Sequence, residues 1–269
     1  MSVFSKFEHW FLVRFMRKAV RLLLHDLFRE IQLTRLTNEM ILAEMKKDSF
    51  VRISGTVHEV AFWDRRLHRG IPERAGKTQI TGRYLNYLQK LTEHFSVDQI
   101  TILDVGTGPF TTIGTYLGDV KLNITAVDPL ASYYDDLIIK YALDPPVKPI
   151  FAEAEKLSEQ FVPESFIWVN AENSIDHASS PVQAIREMIA LVKPGGMITL
   201  RHRSNEAINE SYSGFHQWNL FQENGVFYVC GRERSVAINV NDMVPSGWDI
   251  RAFDEVGTDR VIFEARRPL

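Results

Sequence analysis

The sequence predicts an α/β fold with a doubly wound, mostly parallel sheet and an antiparallel hairpin at one edge. From about residue 98, short β-rich runs alternate with helical stretches, as in parallel strands joined by helices. After about residue 225, further short runs follow without helical patterns between them, which predicts antiparallel pairing. The chain has 269 residues, a length that suits one main core.

Composition excludes several classes of protein. With 45% apolar and 24% charged residues, the chain is typical of globular proteins and not of disordered or collagen-like ones. The 31 Lys and Arg nearly balance the 34 Asp and Glu, so we predict no nucleic-acid partner. The single cysteine, Cys230, excludes an internal disulfide and favours the cytoplasm.

Residues 1–47 contain no Gly or Pro and show helical periodicity, which predicts amphipathic helices. Aromatic residues crowd the first turns, and a basic face lies beside the apolar stripe. Three interpretations stay open: contact with the inner face of a membrane, a homodimer, or packing on the chain's own domain. Charges interrupt every apolar run, which argues against a transmembrane helix and a signal peptide.

We expect residues 1–81 to form this helical region and its connection, and residues 82–269 to form the main α/β domain, with a hairpin inserted around residues 226–240. The stretch from Ser49 to Thr81 reads as a polar connection containing His58 and His68. Four of its residues are expected to close the site from the N-terminal side, with simple burial of the tryptophan as the alternative: Glu59, Trp63, Asp64 and Arg65.

The predicted strands are short apolar runs bounded by turn-forming residues. In chain order they are residues 99–105, 123–127, 148–151, 166–169, 197–201, 226–230, 236–240, 248–253 and 260–265.

The first strand ends in a glycine-containing turn, Asp104 to Pro109, and we expect a helix to open near Thr111 and Thr112. Glycines let the backbone approach a ligand closely, and a helix N-terminus presents free amide groups. Asp128 follows the second strand, 20 residues beyond Gly108, where a carboxylate can accept hydrogen bonds from ribose hydroxyls. A tight structural turn is the alternative explanation.

Two further features follow in order. Residues 152–155 come after the third predicted strand, where a side chain and a backbone amide can frame an adenine. Residues 193–196, Lys-Pro-Gly-Gly, are predicted to stop a helix and lead the chain into the fifth strand.

With these motifs, residues 82–268 resemble the class I S-adenosylmethionine-dependent methyltransferases. The stretches that carry the resemblance are ILDVGTGP at 102–109, AVDPLA at 126–131, AEAEKL at 152–157 and NSIDHASSPVQAIREMIALVKPGGMITL at 173–200. The resemblance implies a Rossmann-like sheet of seven strands, S-adenosyl-L-methionine as cofactor and S-adenosyl-L-homocysteine as product.

The resemblance also implies the cofactor-binding residues. Asp104 and the glycine turn would face the methionine part, Asp128 the ribose, and Glu153 with Ala154 the adenine, while Asn170 would lie beneath the cofactor. The complete set is Asp104, Gly106, Thr107, Gly108, Pro109, Asp128, Pro129, Leu130, Glu153, Ala154, Glu155 and Asn170. Two positions depart from the family pattern: Phe110 replaces its third glycine, and Glu153 replaces its aspartate beside the adenine.

A narrower resemblance is to bacterial methyltransferases found among polysaccharide-biosynthesis proteins. It is carried by EVAFWDRRL at 59–67, NSIDHASSP at 173–181 and NEAINESYSGFHQWNL at 205–220. It implies O-methylation of a sugar or glycan hydroxyl.

Methylation of an alcohol needs a group that takes up the hydroxyl proton. His177, after the fourth strand, is the first candidate, with Asp176 as its orienting partner; support of the next helix is the alternative role. His202 is expected just beyond the fifth strand, on a loop over the same crevice. His216 lies in an aromatic and amide-rich segment, residues 212–219, that suits a sugar or, alternatively, forms a packed lid.

Two other functions compete with this one. A nicotinamide-dependent dehydrogenase also uses a glycine turn and a later acid, although the last glycine or alanine of that fingerprint would fall at Thr111. A non-catalytic protein could keep the fold and use its N-terminal helices for assembly. We predict no metal, because no spaced Asp and His set is evident in the sequence.

Overall fold

The computed structural model describes residues 49–269, with side chains from residue 52 onward. The chain divides into two compact units, Met1–Arg66 and Leu67–Leu269. The helices predicted within residues 1–47 lie outside the described residues, and the domain boundary predicted at residue 81 stays a prediction.

The described helices and strands run in the following chain order: α1 (Ser49–Arg69), α2 (Gly82–Leu91), β1 (Thr101–Val105), β2 (Tyr116–Leu117), β3 (Val120–Lys121), β4 (Asn123–Val127), α3 (Ala131–Lys140), β5 (Phe166–Glu172), α4 (Pro181–Ala190), β6 (Val192–Arg203), α5 (Glu206–Asn209), β7 (Asn219–Glu223), β8 (Val226–Cys230), β9 (Ile238–Asn239), β10 (Asp249–Asp254) and β11 (Arg260–Arg266).

Helix α1 corrects the prediction of a polar connection from Ser49 to Thr81. Val60, Trp63 and Leu67 recur at a spacing of three and four and are buried, so the segment is an amphipathic helix whose apolar stripe is narrow. The Trp63 indole N–H donates a hydrogen bond to Glu59 Oε1 at 3.0 Å. Among the described residues, no helix is both long and apolar enough to cross a bilayer.

The main sheet has six strands in the order β10-β11-β6-β5-β1-β4. β4, β1, β5 and β6 are parallel, while β11 and β10 continue the sheet as the antiparallel edge that the sequence predicts. Successive side chains of a strand point to opposite faces, so Ile102 packs with residues of α2 and Leu103 with residues of α4. The fold is therefore a doubly wound, mostly parallel α/β sheet.

The seventh strand of the expected sheet is reduced to one bridge, between Ile150 and Val127. The prediction of a strand over residues 148–151 was therefore wrong. Ile150 alone pairs with β4: its N–H donates to the Ala126 carbonyl at 2.9 Å, and its carbonyl accepts from the Asp128 N–H at 3.0 Å. The side chains of Ile150 and Phe151 are exposed, so the segment does not pack as a strand.

The segment after β1 also differs from the prediction. No helix begins at Thr111 or Thr112; residues 106–115 form turns and bends that lead into the β2–β3 hairpin. Gly114 adopts a φ of +92°, and a Cβ there would lie 2.6 Å from the carbonyl oxygen of Gln79. Glycines and β-branched residues in this stretch favour extended and turn conformations over a helix.

Two expectations for the C-terminal half need correction. β8 and β9 pair as the predicted antiparallel hairpin, but they do not join the edge of the main sheet; with β7, which was not predicted, they form a separate three-stranded antiparallel sheet. The Lys193–Gly196 segment lies inside β6, where the register with β5 shifts, and not ahead of the strand.

Candidate functional site

A row of polar side chains crosses three adjacent parallel strands near their carboxyl ends. Asp104 of β1 is paired in register with Asn170 of β5, which is paired in turn with Thr199 of β6. Asn170 Nδ2 donates to Asp104 Oδ1 at 2.7 Å, and the Thr199 hydroxyl donates to Asn170 Oδ1 at 2.8 Å. The three residues are buried, so the row is an internal network whose polar groups satisfy one another.

Asp104 is the ionisable member of this row. Its Oδ2 accepts a hydrogen bond from the Thr111 hydroxyl at 2.6 Å. Burial raises the pKa of Asp104 from 3.8 to about 6, against the opposing effect of the hydrogen bonds from Thr111 and Asn170. The carboxyl group is thus ionised at neutral pH but is poised to take up a proton in mildly acidic solution.

The glycine turn is held against the second acid, Asp128. The Gly108 N–H donates to Asp128 Oδ2 at 2.9 Å, and the Leu130 N–H donates to Oδ1 at 2.8 Å. Gly106 and Gly108 adopt φ values of +69° and +62°, in the left-handed region that favours glycine. A Cβ on Gly106 would lie 2.3 Å from Ser174 Cβ, so only glycine fits at this position.

The remaining residues predicted to bind the cofactor have varied surroundings. Thr107, Pro109 and Leu130 are buried, and Pro129 is exposed. Phe110, which stands where the resembled family has its third glycine, is 1% exposed.

The residues predicted to lie beside the adenine have partners of their own. Glu153 forms an ion pair with Lys156, and Glu155 Oε1 accepts a hydrogen bond from the Ser180 N–H, which anchors the start of α4. Ala154 begins a short 3-10 helix, Ala154–Glu159. The role of these residues toward an adenine stays a prediction.

The catalytic candidates come together in one group, which we call the Asp–His cluster: Asp176, His177 and His216. Asp176 Oδ2 lies 2.8 Å from His216 Nδ1 and 3.5 Å from His177 Nε2, and these two ring nitrogens are 3.2 Å apart. Asp176 is 1% exposed, whereas the side chains of the two histidines are each 21% exposed. The partner that Asp176 contacts most closely is therefore His216, not His177 as the sequence analysis expected.

Charge and burial oppose each other in the cluster. Burial by itself would raise the pKa of Asp176, but the imidazoles around it, His177 first, hold that pKa well below its usual range. Burial would lower the pKa of His216, and the hydrogen bond and charge of Asp176 outweigh that effect and raise it.

His202 is also beside the cluster, but not on a loop. It lies within β6, paired with Val261 of β11, and is 1% exposed. Its Nδ1 is 3.8 Å from Asp176 Oδ1. The expectation that His202 overhangs the crevice was wrong because β6 continues to Arg203.

Ser174 connects the Asp–His cluster to the glycine turn. Its hydroxyl donates to the Val105 carbonyl at 3.0 Å, and its Cβ is the group that faces Gly106. Asp176 and His177 follow at once, in a 3-10 turn, Ile175–His177. The cluster thus lies at the same edge of the sheet as Asp104 and the glycine turn.

In the segment around His216, the side-chain amides of Gln217 and Asn219 form hydrogen bonds within the protein. Gln217 Nε2 donates to the carbonyls of Tyr212 and Gly214, and Asn219 Nδ2 donates to the Tyr212 hydroxyl and to the Gly231 carbonyl. Those contacts favour the packed-lid interpretation for the two amides. Phe215 packs against the His177 ring, with centroids 5.7 Å apart.

Sequence reasoning missed the residues that support the site. Thr111, Ser174 and Thr199 were not assigned roles, nor was Trp168, whose indole N–H donates to the Thr199 hydroxyl at 2.8 Å. Polar residues inside otherwise apolar strands are the signal that could have found Thr199, because a buried polar group needs a partner.

Comparison with known proteins gives structural likeness only. No known protein family and no curated protein sequence matches the chain. Similar solved structures include the CurJ carbon methyltransferase, 15% identical with a TM-score of 0.49 over 69% of this chain and 54% of that one. The Haemonchus contortus phosphoethanolamine N-methyltransferase 2, in complex with S-adenosyl-L-methionine, is 14% identical with a TM-score of 0.47 over 71% of this chain and 54% of that one.

A third similar structure, the [4+2]-cyclase SpnF, is 15% identical with a TM-score of 0.46 over 82% of this chain and 96% of that one. This chain spans about half the length of the first two proteins.

Proposed function

We propose that the chain is an S-adenosylmethionine-dependent methyltransferase that acts on a hydroxyl group of a small-molecule or glycan acceptor. One observation carries the choice of cofactor. The acids that end β1 and β4 flank a glycine turn, yet the chain after that turn forms bends and a hairpin where a helix was expected.

A nicotinamide dinucleotide fits this arrangement poorly. Its pyrophosphate is normally bound at the N-terminus of the helix that follows the glycine turn, where backbone amides and the helix dipole favour negative charge. Residues 106–115 supply no such helix. S-Adenosylmethionine has no phosphate and carries a positive sulfonium, so it does not need one.

The acidic residues at the carboxyl edge of the parallel strands match the polar groups of S-adenosylmethionine. A carboxylate can accept more than two hydrogen bonds, so Asp128 can serve ribose hydroxyls while it holds the glycine turn. Asp104, ionised at neutral pH, would attract the methionine ammonium, and Asn170 keeps its carboxyl group oriented. Glu153, Ala154 and Glu155 remain the candidates for the adenine.

When bound, S-adenosylmethionine supplies a methyl group that already has a good leaving group. The work of the chain is then to hold the acceptor in line with that methyl group and to exclude water. An acceptor hydroxyl also has to lose its proton, and we assign its activation to the Asp–His cluster. Ser174 ties the cluster to the glycine turn, so both would act on one bound pair.

The identity of the acceptor rests on the narrower resemblance alone. A sugar or glycan hydroxyl is the acceptor that this resemblance implies, and the exposed parts of His177, Phe215 and His216 are the surface on which it would bind. We further propose a cytoplasmic enzyme whose residues 1–47 contact the inner face of the membrane or a second copy of the chain.

Calorimetric titration of the full chain with S-adenosylhomocysteine, and separately with NAD, tests the cofactor. We expect S-adenosylhomocysteine to bind and NAD not to bind. Asp128→Ala should weaken the binding by about 1 to 3 kcal/mol through lost hydrogen bonds, while Asp136→Ala, at an exposed position on α3, should not. Equal affinity of the wild type and Asp128→Ala would contradict the ribose assignment.

Transfer of a labelled methyl group to nucleotide sugars and lipid-linked glycans then tests the reaction. Binding of the cofactor without transfer to any of these acceptors, or to a panel of small-molecule alcohols, would favour the non-catalytic alternative.

A further inference from the structure

We propose that the Asp–His cluster binds a divalent transition-metal ion through Asp176 Oδ2, His177 Nε2 and His216 Nδ1. These three atoms come from two segments, the Ile175–His177 turn and the loop that precedes β7, and all lie within 4.8 Å of one another. The sequence predicted no metal, because 39 residues separate the two histidines.

The spacing of the three atoms is that of metal ligands. Zinc bonds to nitrogen and oxygen are about 2.1 Å long, so two ligands lie about 3.0 Å apart at a right angle and about 3.4 Å apart in a tetrahedron. The distances in the cluster are 2.8, 3.2 and 3.5 Å. One ion can therefore contact all three atoms with only small shifts of the side chains.

Hydrogen bonds alone satisfy this arrangement poorly. Each ring nitrogen carries at most one proton, so Nδ1 of His216 cannot donate fully to Asp176 and to His177 at the same time. If both nitrogens carry protons, both N–H groups have to share Asp176 Oδ2, at 2.8 and 3.5 Å, while the two nitrogens lie only 3.2 Å apart. An ion accepts a lone pair from each of the three atoms and removes this conflict.

A second observation comes from the buried atoms behind the cluster. Within the described part of the chain, Asp176 Oδ1 and both ring nitrogens of His202 are buried without a hydrogen-bond partner. Asp176 Oδ1 and His202 Nδ1 are 3.8 Å apart. Carboxylates that bind a metal are commonly supported by a hydrogen-bonding group on their far side. A small shift of Asp176 toward an ion and of His202 toward Oδ1 would complete such a pair.

The donor set selects the class of ion. Two imidazoles suit zinc, iron, nickel and copper, whereas magnesium and calcium prefer oxygen ligands. The side chains of His177 and His216 are each 21% exposed, so the cluster lies near the surface, and three protein ligands leave a fourth position for a solvent molecule or an acceptor oxygen. Three protein ligands with an open position are typical of catalytic zinc sites, and two histidines with one carboxylate also suit Fe²⁺.

The metal site stands on its own geometry, and its use in catalysis rests on the proposed function. A Lewis acid at this point would lower the pKa of an acceptor hydroxyl and hold its oxygen in place. The two histidines would then act as ligands, and the hydroxyl proton would leave to solvent.

The test measures metal binding without any methyl donor. The full chain, purified without a histidine tag and treated with a chelator, is titrated with Zn²⁺ by calorimetry and with Co²⁺ by visible absorption. We expect one ion per chain at the cluster and a Co²⁺ spectrum with nitrogen ligation. His177→Ala and His216→Ala should each weaken binding by more than about 100-fold, and His202→Gln by about 10- to 100-fold, as for supporting groups.

His94→Ala is the matched control, because His94 is exposed and lies outside the cluster. It should bind the ion as the wild type does. Circular dichroism of each variant separates loss of the site from loss of the fold, and folding should tolerate His177→Ala and His216→Ala better than a change at the buried His202, because both side chains are partly exposed. Absence of saturable Zn²⁺ binding by the wild type, or binding that His177→Ala and His216→Ala leave unchanged, would overturn the proposal.

Failure of this proposal is distinguishable from failure of the proposed function. Metal binding by a chain that binds no S-adenosylhomocysteine would reject the function and keep the metal site. Methyl transfer that persists in the chelated, metal-free chain would reject the metal's part in catalysis.

Discussion

Replacing Asp104 by asparagine tests how strongly burial of this carboxyl group couples to folding. The variant can keep the network: the carbonyl of the new amide side chain would accept from Asn170, and its NH₂ group would donate to the Thr111 hydroxyl in place of the bond that Thr111 now donates. The substitution therefore removes the ionisation while it leaves shape and hydrogen bonding nearly unchanged.

The magnitude follows from the pKa of Asp104, which rises from 3.8 to about 6 on folding. The folded chain then holds this proton more tightly than the unfolded chain does. The contribution of Asp104 to the free energy of unfolding is greatest below about pH 3, falls as the pH rises from about 3 to 7, and is constant above about pH 7. The total loss is about 3 kcal/mol, because one pKa unit corresponds to about 1.4 kcal/mol.

Urea unfolding of the wild type and of Asp104→Asn at several pH values between 4 and 7, followed by circular dichroism, measures this loss. The wild type should lose about 2.4 kcal/mol relative to the variant over that range, which is most of the total. Asp136→Asn, which changes an exposed carboxyl group on α3, should follow the wild type. Parallel stability profiles for the wild type and Asp104→Asn would refute the reasoning.

Three other predictions follow from the site and the sequence. His177→Ala should lower the rate of methyl transfer by about 100-fold or more, with a smaller effect on S-adenosylhomocysteine affinity. Steady-state kinetics measure the first effect and calorimetry the second, with His94→Ala as the control. Full activity of His177→Ala would show that His177 is not part of the site. Phe110→Ala should lower the free energy of unfolding by about 3 to 5 kcal/mol, because Phe110 is 1% exposed and removal of its ring opens a cavity. A decrease of less than about 1 kcal/mol, measured by urea unfolding, would contradict the burial of Phe110. The full chain should sediment with anionic vesicles more than with neutral ones, and reversing the charges of Arg14, Arg17 and Arg21 should abolish the difference. Equal sedimentation of the wild type with both vesicle types would contradict the membrane hypothesis.

Local patterns were sufficient for much of the fold. The parallel strands β1, β4, β5 and β6 and the antiparallel pair β10 and β11 were predictable, because the apolar runs that form them are bounded by residues with strong turn preferences. The glycine turn and the two acids beside it were predictable for the same reason. Asp104 and Asp128 had to lie at one edge of the sheet once their strands were parallel.

The errors occurred where tertiary contacts outweigh local preference. Helix α1 contains many polar residues and is recognisable only by its few buried positions. Residues 149–151 are apolar, but Ile150 and Phe151 are exposed and only Ile150 pairs with β4. The segment after β1, residues 106–121, is long enough for the helix that was predicted. It forms turns and the β2–β3 hairpin instead.

The sequence by itself determined which residue types follow each strand, because turns, strand periodicity and backbone freedom act over a few neighbouring residues. Only the tertiary structure decided which of these residues meet. Asp176 and His216 are 40 positions apart, and Asp104 and Asn170 are 66 apart. Such pairs form because distant elements pack together and because buried polar groups need hydrogen-bond partners. Neither cause produces a regular spacing in the sequence, so these pairs could not be predicted from it.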